Sequence, residues 1–217
     1  MKKPVILAAT LLALVTVGPA YAAKQLDIAA YKGDPSDLAK LETSAIHGDI
    51  QAQFWLGAYY GSEGDRAKTI HWYRKAALQG EARAENIMGL AYYKGRGVPR
   101  NYFKAVRWYR KAAQQGDALA ENNLGKAYYF GQGVPQDYAK AAYWFHKAAQ
   151  QGLVNAEANL GDAYANGLGV PKNIPEAIYW WKKAAAQGGR VGKLAQQNIN
   201  SYEHPGLTEN SQAYQRD

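Results

Sequence analysis

The sequence predicts an all-α fold, a solenoid of stacked αα-hairpins, and three observations carry that prediction. First, the stretch Ala120–Gly152 recurs at a step of 36 residues: Leu124-Gly125 returns as Met88-Gly89 and Leu160-Gly161, and the GQGVP of 131–135 returns as GRGVP at 95–99 and GLGVP at 167–171. Lys-Ala-Ala keeps the same step from Lys75, Lys111, Lys147 and Lys183. A period of this size marks one supersecondary unit that buries its apolar face only against its neighbours. Second, apolar residues within a copy follow helical spacing. Ala120, Leu124, Ala127 and Tyr128 share one face, and Ala141, Trp144, Phe145 and Ala148 share another. Third, glycine and proline fall between those halves. Gly131 and Gly133 stop the first helix, Pro135 bars its resumption, Val134 plugs the turn, and Gly152 ends the second helix in a left-handed turn.

The elements follow in order. Residues 1–22 read as a secretory leader: Lys2-Lys3 makes a basic start, Val5–Val17 is a short apolar run, and Ala20-Tyr21-Ala22 offers the small residues a signal peptidase needs. This predicts a bacterial exported protein, periplasmic or secreted, that begins near Ala23 and has no membrane span after the leader is removed. Residues 23–48 form a lead-in and half-repeat cap, in which Asp34-Pro35 starts a helix and Leu38, Leu41 and Ala45 make its stripe. Four repeats follow at 49–80, 81–116, 117–152 and 153–188. The first is four residues short, since Tyr60 to Trp72 spans 12 positions where Tyr92 to Trp108 spans 16. The loss falls in the turn, where GSEGDRA replaces the Gly-x-Gly-Val-Pro joint, and one rim of the stack becomes shallower there. After Gly188 the apolar stripe degrades into a polar capping helix over 189–202, and 203–217 has little to bury and reads as a disordered tail.

Within a copy, Gly125, Ala127, Ala141 and Ala148 let helices approach closely. Two aromatic ladders, Trp72, Trp108, Trp144, Trp180 and Tyr60, Tyr92, Tyr128, Tyr164, are expected to fill the core between them. Asp117 is placed to cap its helix.

Chemistry is sparse. The four histidines, His47, His71, His146 and His204, have no metal-ligand spacing, and the chain has no cysteine, which excludes a lipid-anchored lipoprotein and any disulfide framework. No nucleophile motif and no phosphate-cradling loop occurs. Glu85, Glu121 and Glu157 recur in the first turn of each first helix, where a negative charge suits the helix dipole, and equivalent glutamates do not make an acid–base pair. No catalytic residue, metal or cofactor is therefore expected. The net charge of +8 becomes +6 once Lys2 and Lys3 leave with the leader. Paired cations near the end of each second helix, such as Arg110 and Lys111, complement the dipole; nucleic acid is not an expected partner, whereas an acidic one is allowed.

The pattern A-x-x-x-(L/M)-G-x-x-Y, G-x-G-V-P, A-x-x-W and K-A-A-x-Q-G resembles the Sel1-like repeat, a relative of the tetratricopeptide repeat, over residues 49–188. That resemblance implies a right-handed superhelix, a monomeric adaptor and a concave groove lined by first-helix residues off the Leu-Gly-Tyr stripe. Those are Arg83, Asn86, Leu90 and Tyr93 in one copy, Leu119, Asn122, Lys126 and Tyr129 in the next, and Asn155 and Asp162 in the third. Amides, tyrosines and a few charges suit a protein or peptide partner. Two rival readings also come with the resemblance, an immunity-type protein that neutralises a secreted toxin and a hydrolase of β-lactams or cell-wall material. The relatives behind the hydrolase reading are rich in paired cysteines, which this chain lacks.

Overall fold

The structure, a computed structural model, describes residues 35–204. The expected leader, residues 23–34 of the lead-in and residues 205–217 of the expected tail lie outside the described residues. Among the described residues there are ten helices and no strand: α1 (Pro35–Ile46), α2 (Ile50–Ser62), α3 (Arg66–Leu78), α4 (Ala82–Lys94), α5 (Tyr102–Gln114), α6 (Ala118–Phe130), α7 (Tyr138–Gln150), α8 (Val154–Asn166), α9 (Ile174–Ala186) and α10 (Gly189–Glu203). Helices α2 to α9 pair as four hairpins, each packing on the next, with α1 against α2 and α10 against α9 and α8. This is the predicted α-solenoid.

Local chemistry sets each hairpin. Asp117 caps α6 by accepting the Ala120 N–H at 2.8 Å, and Gly131 closes that helix with φ +66°, a left-handed conformation in which a Cβ would be strained. The turn then delivers Asp137, whose backbone N–H donates to the Tyr128 carbonyl at 2.9 Å while its carboxylate caps α7 through the Lys140 N–H at 2.9 Å. The first hairpin makes the same bond, from the Asp65 N–H to the Tyr60 carbonyl at 3.0 Å, although only residues 63–65 separate α2 from α3 where 95–101 separate α4 from α5. The four missing residues are thus lost from the turn, and both helices keep their full 13 residues.

Each hairpin core is a ring seated in a glycine notch. A Cβ added at Gly125 would lie 2.7 Å from the Phe145 ring, and one at Gly161 would lie 2.5 Å from the Trp181 indole. Gly57 with Tyr73 and Gly89 with Tyr109 repeat the arrangement. Here the structure departs from the expected tryptophan ladder. The fully enclosed rings are one residue further on, Tyr73, Tyr109, Phe145 and Trp181, whereas Trp72, Trp108 and Trp144 are half-buried and only Trp180 is buried. The tryptophans instead lie at the seam with the preceding hairpin, as Trp108 does against the cluster of Phe54, Tyr73 and Met88. Their outer faces carry a lysine three residues on, at 4.8 Å for Lys75 over Trp72 and 5.1 Å for Lys111 over Trp108. The tyrosine ladder is half-buried as well. A notch asks only for a flat ring, so its occupant drifts among Tyr, Phe and Trp and leaves no identical-residue signal.

At the two ends, Tyr60 donates to Glu42 Oε1 at 2.7 Å, tying α2 to α1 and raising the phenol pKa to about 12. Helix α10 buries Ala195 and Ile199 against Trp181, and Glu203, counted by sequence within the tail, ends the helix and pairs with Lys182 at 3.1 Å.

Candidate partner-binding surface

Stacking identical hairpins creates two sorts of first-helix position, those consumed by the junction with the next repeat and those left to solvent. The junction takes more polar side chains than the sequence suggests. Glu85, Glu121 and Glu157 are buried, and each accepts from the glutamine near the end of its own repeat, Gln115 at 2.8 Å, Gln151 at 2.8 Å and Gln187 at 2.7 Å. Gln151 and Gln187 also donate to the carbonyls of Gly116 and Gly152, so one amide closes its own hairpin and reaches the last residue of the preceding repeat. Burial pushes all three carboxyl pKa values above the ordinary glutamate range, and the glutamine amides with the nearby Lys111, Lys147 and Lys183 oppose the rise. Lys147 stands 3.5 Å from Glu121 Oε1, close enough to pair in charge but without a good hydrogen bond. In the first repeat Gln53 takes the glutamate's place and Gln79 donates to it at 2.8 Å. This position therefore needs a hydrogen-bond acceptor more than it needs a charge.

The groove residues expected from the sequence divide along this line. Asn86 and Asn122 are buried at 6 and 7% exposure and accept from Asn123 and Asn159 of the following repeat at 3.0 and 2.9 Å. They hold repeats together and do not face an open surface. Arg83 is half-buried: it stacks on Phe54 at 4.1 Å, pairs with Glu81 at 2.6 Å and donates to Gln51 at 2.9 Å. Asp162 is exposed on one side, yet its Oδ1 accepts from the Trp181 indole N–H at 3.0 Å and from Asn198 at 3.2 Å, and loss of hydration raises its pKa. Tyr93 is half-buried, with its ring 5.3 Å from Tyr102 and its hydroxyl donating to Gln132 at 3.0 Å; Tyr129 packs at 5.2 Å against Tyr138. Leu90, Leu119 and Asn155 are half-buried and Lys126 is exposed. Sequence reasoning missed Asn123 and Asn159 because their partners lie 37 residues away, one position off the repeat step, so aligning copies never pairs them. The adjacent Asn122-Asn123, one facing back and one forward, is the signal that could have revealed it.

Among the described residues no group of three or more His, Asp or Glu is placed to hold a metal ion, and no helix is long and apolar enough to cross a membrane. The buried carboxylates are capped by amides rather than aimed into a cavity.

Comparison with known proteins agrees with this construction. A model of the Sel1 repeat matches four consecutive segments, 50–81, 82–117, 118–153 and 154–189, more than half of the chain. The chain is similar to the crystal structure of a protective antigen of uropathogenic Escherichia coli strains that displays an SLR fold, with 38% identity over 76% of this chain and a TM-score of 0.72. It is also similar to a Sel1 repeat protein from Oxalobacter formigenes, with 36% identity over 76% of this chain and a TM-score of 0.67. It spans 36% and 50% of those two structures. A stretch of 69 residues, 30% of this chain, is 35% identical to part of HRD3A from Arabidopsis thaliana, a component of an ERAD-associated E3 ubiquitin-protein ligase, and makes up 10% of that protein.

Proposed function

The chain belongs to the Sel1 repeat family, whose members mediate protein–protein interaction and are generally non-catalytic scaffolds, and from that premise we propose that it is an exported scaffold that holds a protein or peptide partner along its first-helix surface. One observation carries the reading: the buried first-helix glutamates that close each hairpin keep the same chemistry from copy to copy, while positions further along the same helices change. The step that gives the buried Glu85, Glu121 and Glu157 gives Leu90, Lys126 and Asp162 one to two turns later. Packing repeats what it needs, and a surface that reads one partner does not. Leu90, Tyr93, Leu119, Lys126, Tyr129 and Asn155 are the contact residues of this proposal, with Arg83 and Asp162 held at its edges by their bonds to neighbouring side chains. Asn86 and Asn122 support them from below. The basic, apolar and small-residue segments of residues 1–22 support export, and the periplasm is the compartment they suit.

The test begins with affinity capture from an envelope extract and mass spectrometry of what is retained. The captured protein is then titrated against Lys126→Glu combined with Leu90→Ser. Helicity by circular dichroism should be unchanged and the affinity should fall about tenfold or more. Undiminished affinity would move the contact off the first-helix surface.

A further inference from the structure

Charge along the solenoid is not evenly spread. Residues 86–116 hold seven cations, and no aspartate or glutamate. Two of the seven, Arg110 and Lys111, sit in the last turns of α5, where cations suit the helix dipole. The other five gather at the turn and the start of that helix. Gly95 lies against Arg100, with the position of its absent Cβ 3.2 Å from the Arg100 Cβ, and the bonds from the Arg96 N–H to the Ala91 carbonyl and from the Asn101 N–H to the Tyr92 carbonyl close the loop on itself. Lys94, Arg96 and Arg100 thus share one turn, and Lys104 and Arg107 continue from it along the first two turns of α5. All five are exposed, and among the described residues none has a carboxylate within ion-pair distance. Between them stands Phe103, 72% exposed, the most exposed large apolar side chain of the described residues.

The fold does not ask for this arrangement. At the same positions the next two repeats carry Phe130 and Asn166, Gln132 and Leu168, Gln136 and Lys172, and Tyr143 and Tyr179, while Ala139 and Pro175 stand for Phe103. The difference is sharpest at Lys104. Its counterparts Lys68 and Lys140 pair with the aspartate that caps their own helix, at 3.6 Å to Asp65 and 2.9 Å to Asp137. In this repeat the cap is Asn101, which accepts the Lys104 backbone N–H at 2.9 Å but offers its ammonium no charge. A neutral cap keeps the helix and leaves the cation unneutralised. Arg100 and Lys104 also sit at the positive end of the α5 dipole, where Glu176 stands in the fourth repeat, so both mutual repulsion and the dipole work against them. Cations placed against the local field, beside an uncovered phenyl ring, serve something outside the hairpin.

We propose that this turn edge is a docking site for an acidic peptide segment of a partner protein, one whose carboxylates meet Arg96, Arg100, Lys104 and Arg107 while an apolar side chain covers Phe103. Carboxylates complement the cations and the helix N-terminus together, and arginine binds them in a planar, two-pronged way. The site uses none of the first-helix side chains proposed above and stands without them.

The probe is a fluorescein-labelled dodecapeptide in which glutamates alternate with single leucines, read by anisotropy at low salt against the same peptide with glutamine for glutamate. Vesicles containing phosphatidylglycerol form a parallel arm. The test variant gives the second repeat its neighbour's residues, Arg96→Gln, Arg100→Gln and Arg107→Tyr, which the third repeat already accommodates; Phe103→Ala follows the same logic, and circular dichroism reports the fold of both. The glutamate peptide should bind and the glutamine peptide should not. Binding should weaken with added salt, fall about tenfold in the triple variant and several-fold in Phe103→Ala, and stay unchanged in Lys126→Glu. Failure of the glutamate peptide to bind, equal binding by the triple variant, or binding to the anionic vesicles in place of the peptide would each overturn the proposal. A loss seen only in Lys126→Glu would overturn it while leaving the first-helix surface in force.

Discussion

Glu121 has 0% exposure, a single good hydrogen bond and one lysine at 3.5 Å, so ionising it in the folded chain is costly. Its folded pKa lies above its unfolded one, so the folded state holds the proton more tightly; this contribution to stability is full below the unfolded pKa and is lost as pH rises through the folded value. Glu121→Gln removes that dependence and keeps an acceptor for Gln151, as Gln53 does for Gln79. Urea denaturation should show a change within about 1 kcal/mol at pH 7 and a flatter profile as pH rises above the ordinary glutamate range. A loss above about 2 kcal/mol at pH 7 would mean that the charge pair with Lys147, rather than the amide bond, holds the hairpin closed. Glu121→Ala, which removes one of the two acceptors of the Gln151 amide and leaves a cavity beside it, should cost about 2–4 kcal/mol. The ring positions are ranked by burial in the same way. Tyr109→Ala should cost about 3–5 kcal/mol and Trp108→Ala, half-exposed, about half of that; the reverse order in denaturation would restore the tryptophans to the centre of the core.

At the scale of the element, hairpins are closed by a bond that tolerates turns of different length. The N–H of the residue capping each second helix reaches the carbonyl of the ladder tyrosine, from Asp65 to Tyr60 in the short turn and from Asn173 to Tyr164 in a long one. Asn101→Ala should therefore cost only about 1 kcal/mol, the value of the lost side-chain cap, because its backbone bond to Tyr92 remains. Thermal melting resolves a loss of this size, and a drop of about 3 kcal/mol or more would show that the asparagine side chain organises the whole turn. Gly125→Ala tests the notch: the added methyl meets the Phe145 ring at 2.7 Å with the Ala141 carbonyl 3.2 Å away, so relief requires helices α6 and α7 to part, at a cost of about 1–3 kcal/mol in denaturant. The four notches, four capping bonds and three Glu–Gln bonds within hairpins are the same solutions used again, which is why each second helix could be placed from its neighbour.

In the whole molecule every hairpin leans on its neighbours, so the ends decide how the stack frays. Helix α10 covers Trp181 and Ala184 with Ala195 and Ile199. Removing residues 189–217 should lower Tm by about 5–10 °C and expose Trp181 to an aqueous quencher; an unchanged Tm would mean that the fourth repeat closes the stack by itself. The two surfaces proposed for partners differ in origin. The first-helix surface is what remains after the junction has taken its residues, whereas the turn edge of the second repeat breaks the pattern of the copies beside it.

The 36-residue step, the helical spacing and the Gly-Pro joints determined by themselves that this chain is a stack of helical pairs, because each repeat carries its own caps, breaks and apolar faces within a short span of sequence. Which polar residues the stacking consumes was decided only in three dimensions. Asn122 looked free from one copy alone, and its partner Asn159 comes from the next copy at a spacing the repeat does not share. Likewise the ring in the glycine notch is selected by shape, and shape complementarity between helices appears only once their separation is set. Side chains within a helix answer to local rules; those between repeats answer to a neighbour that the periodic pattern announces but does not position.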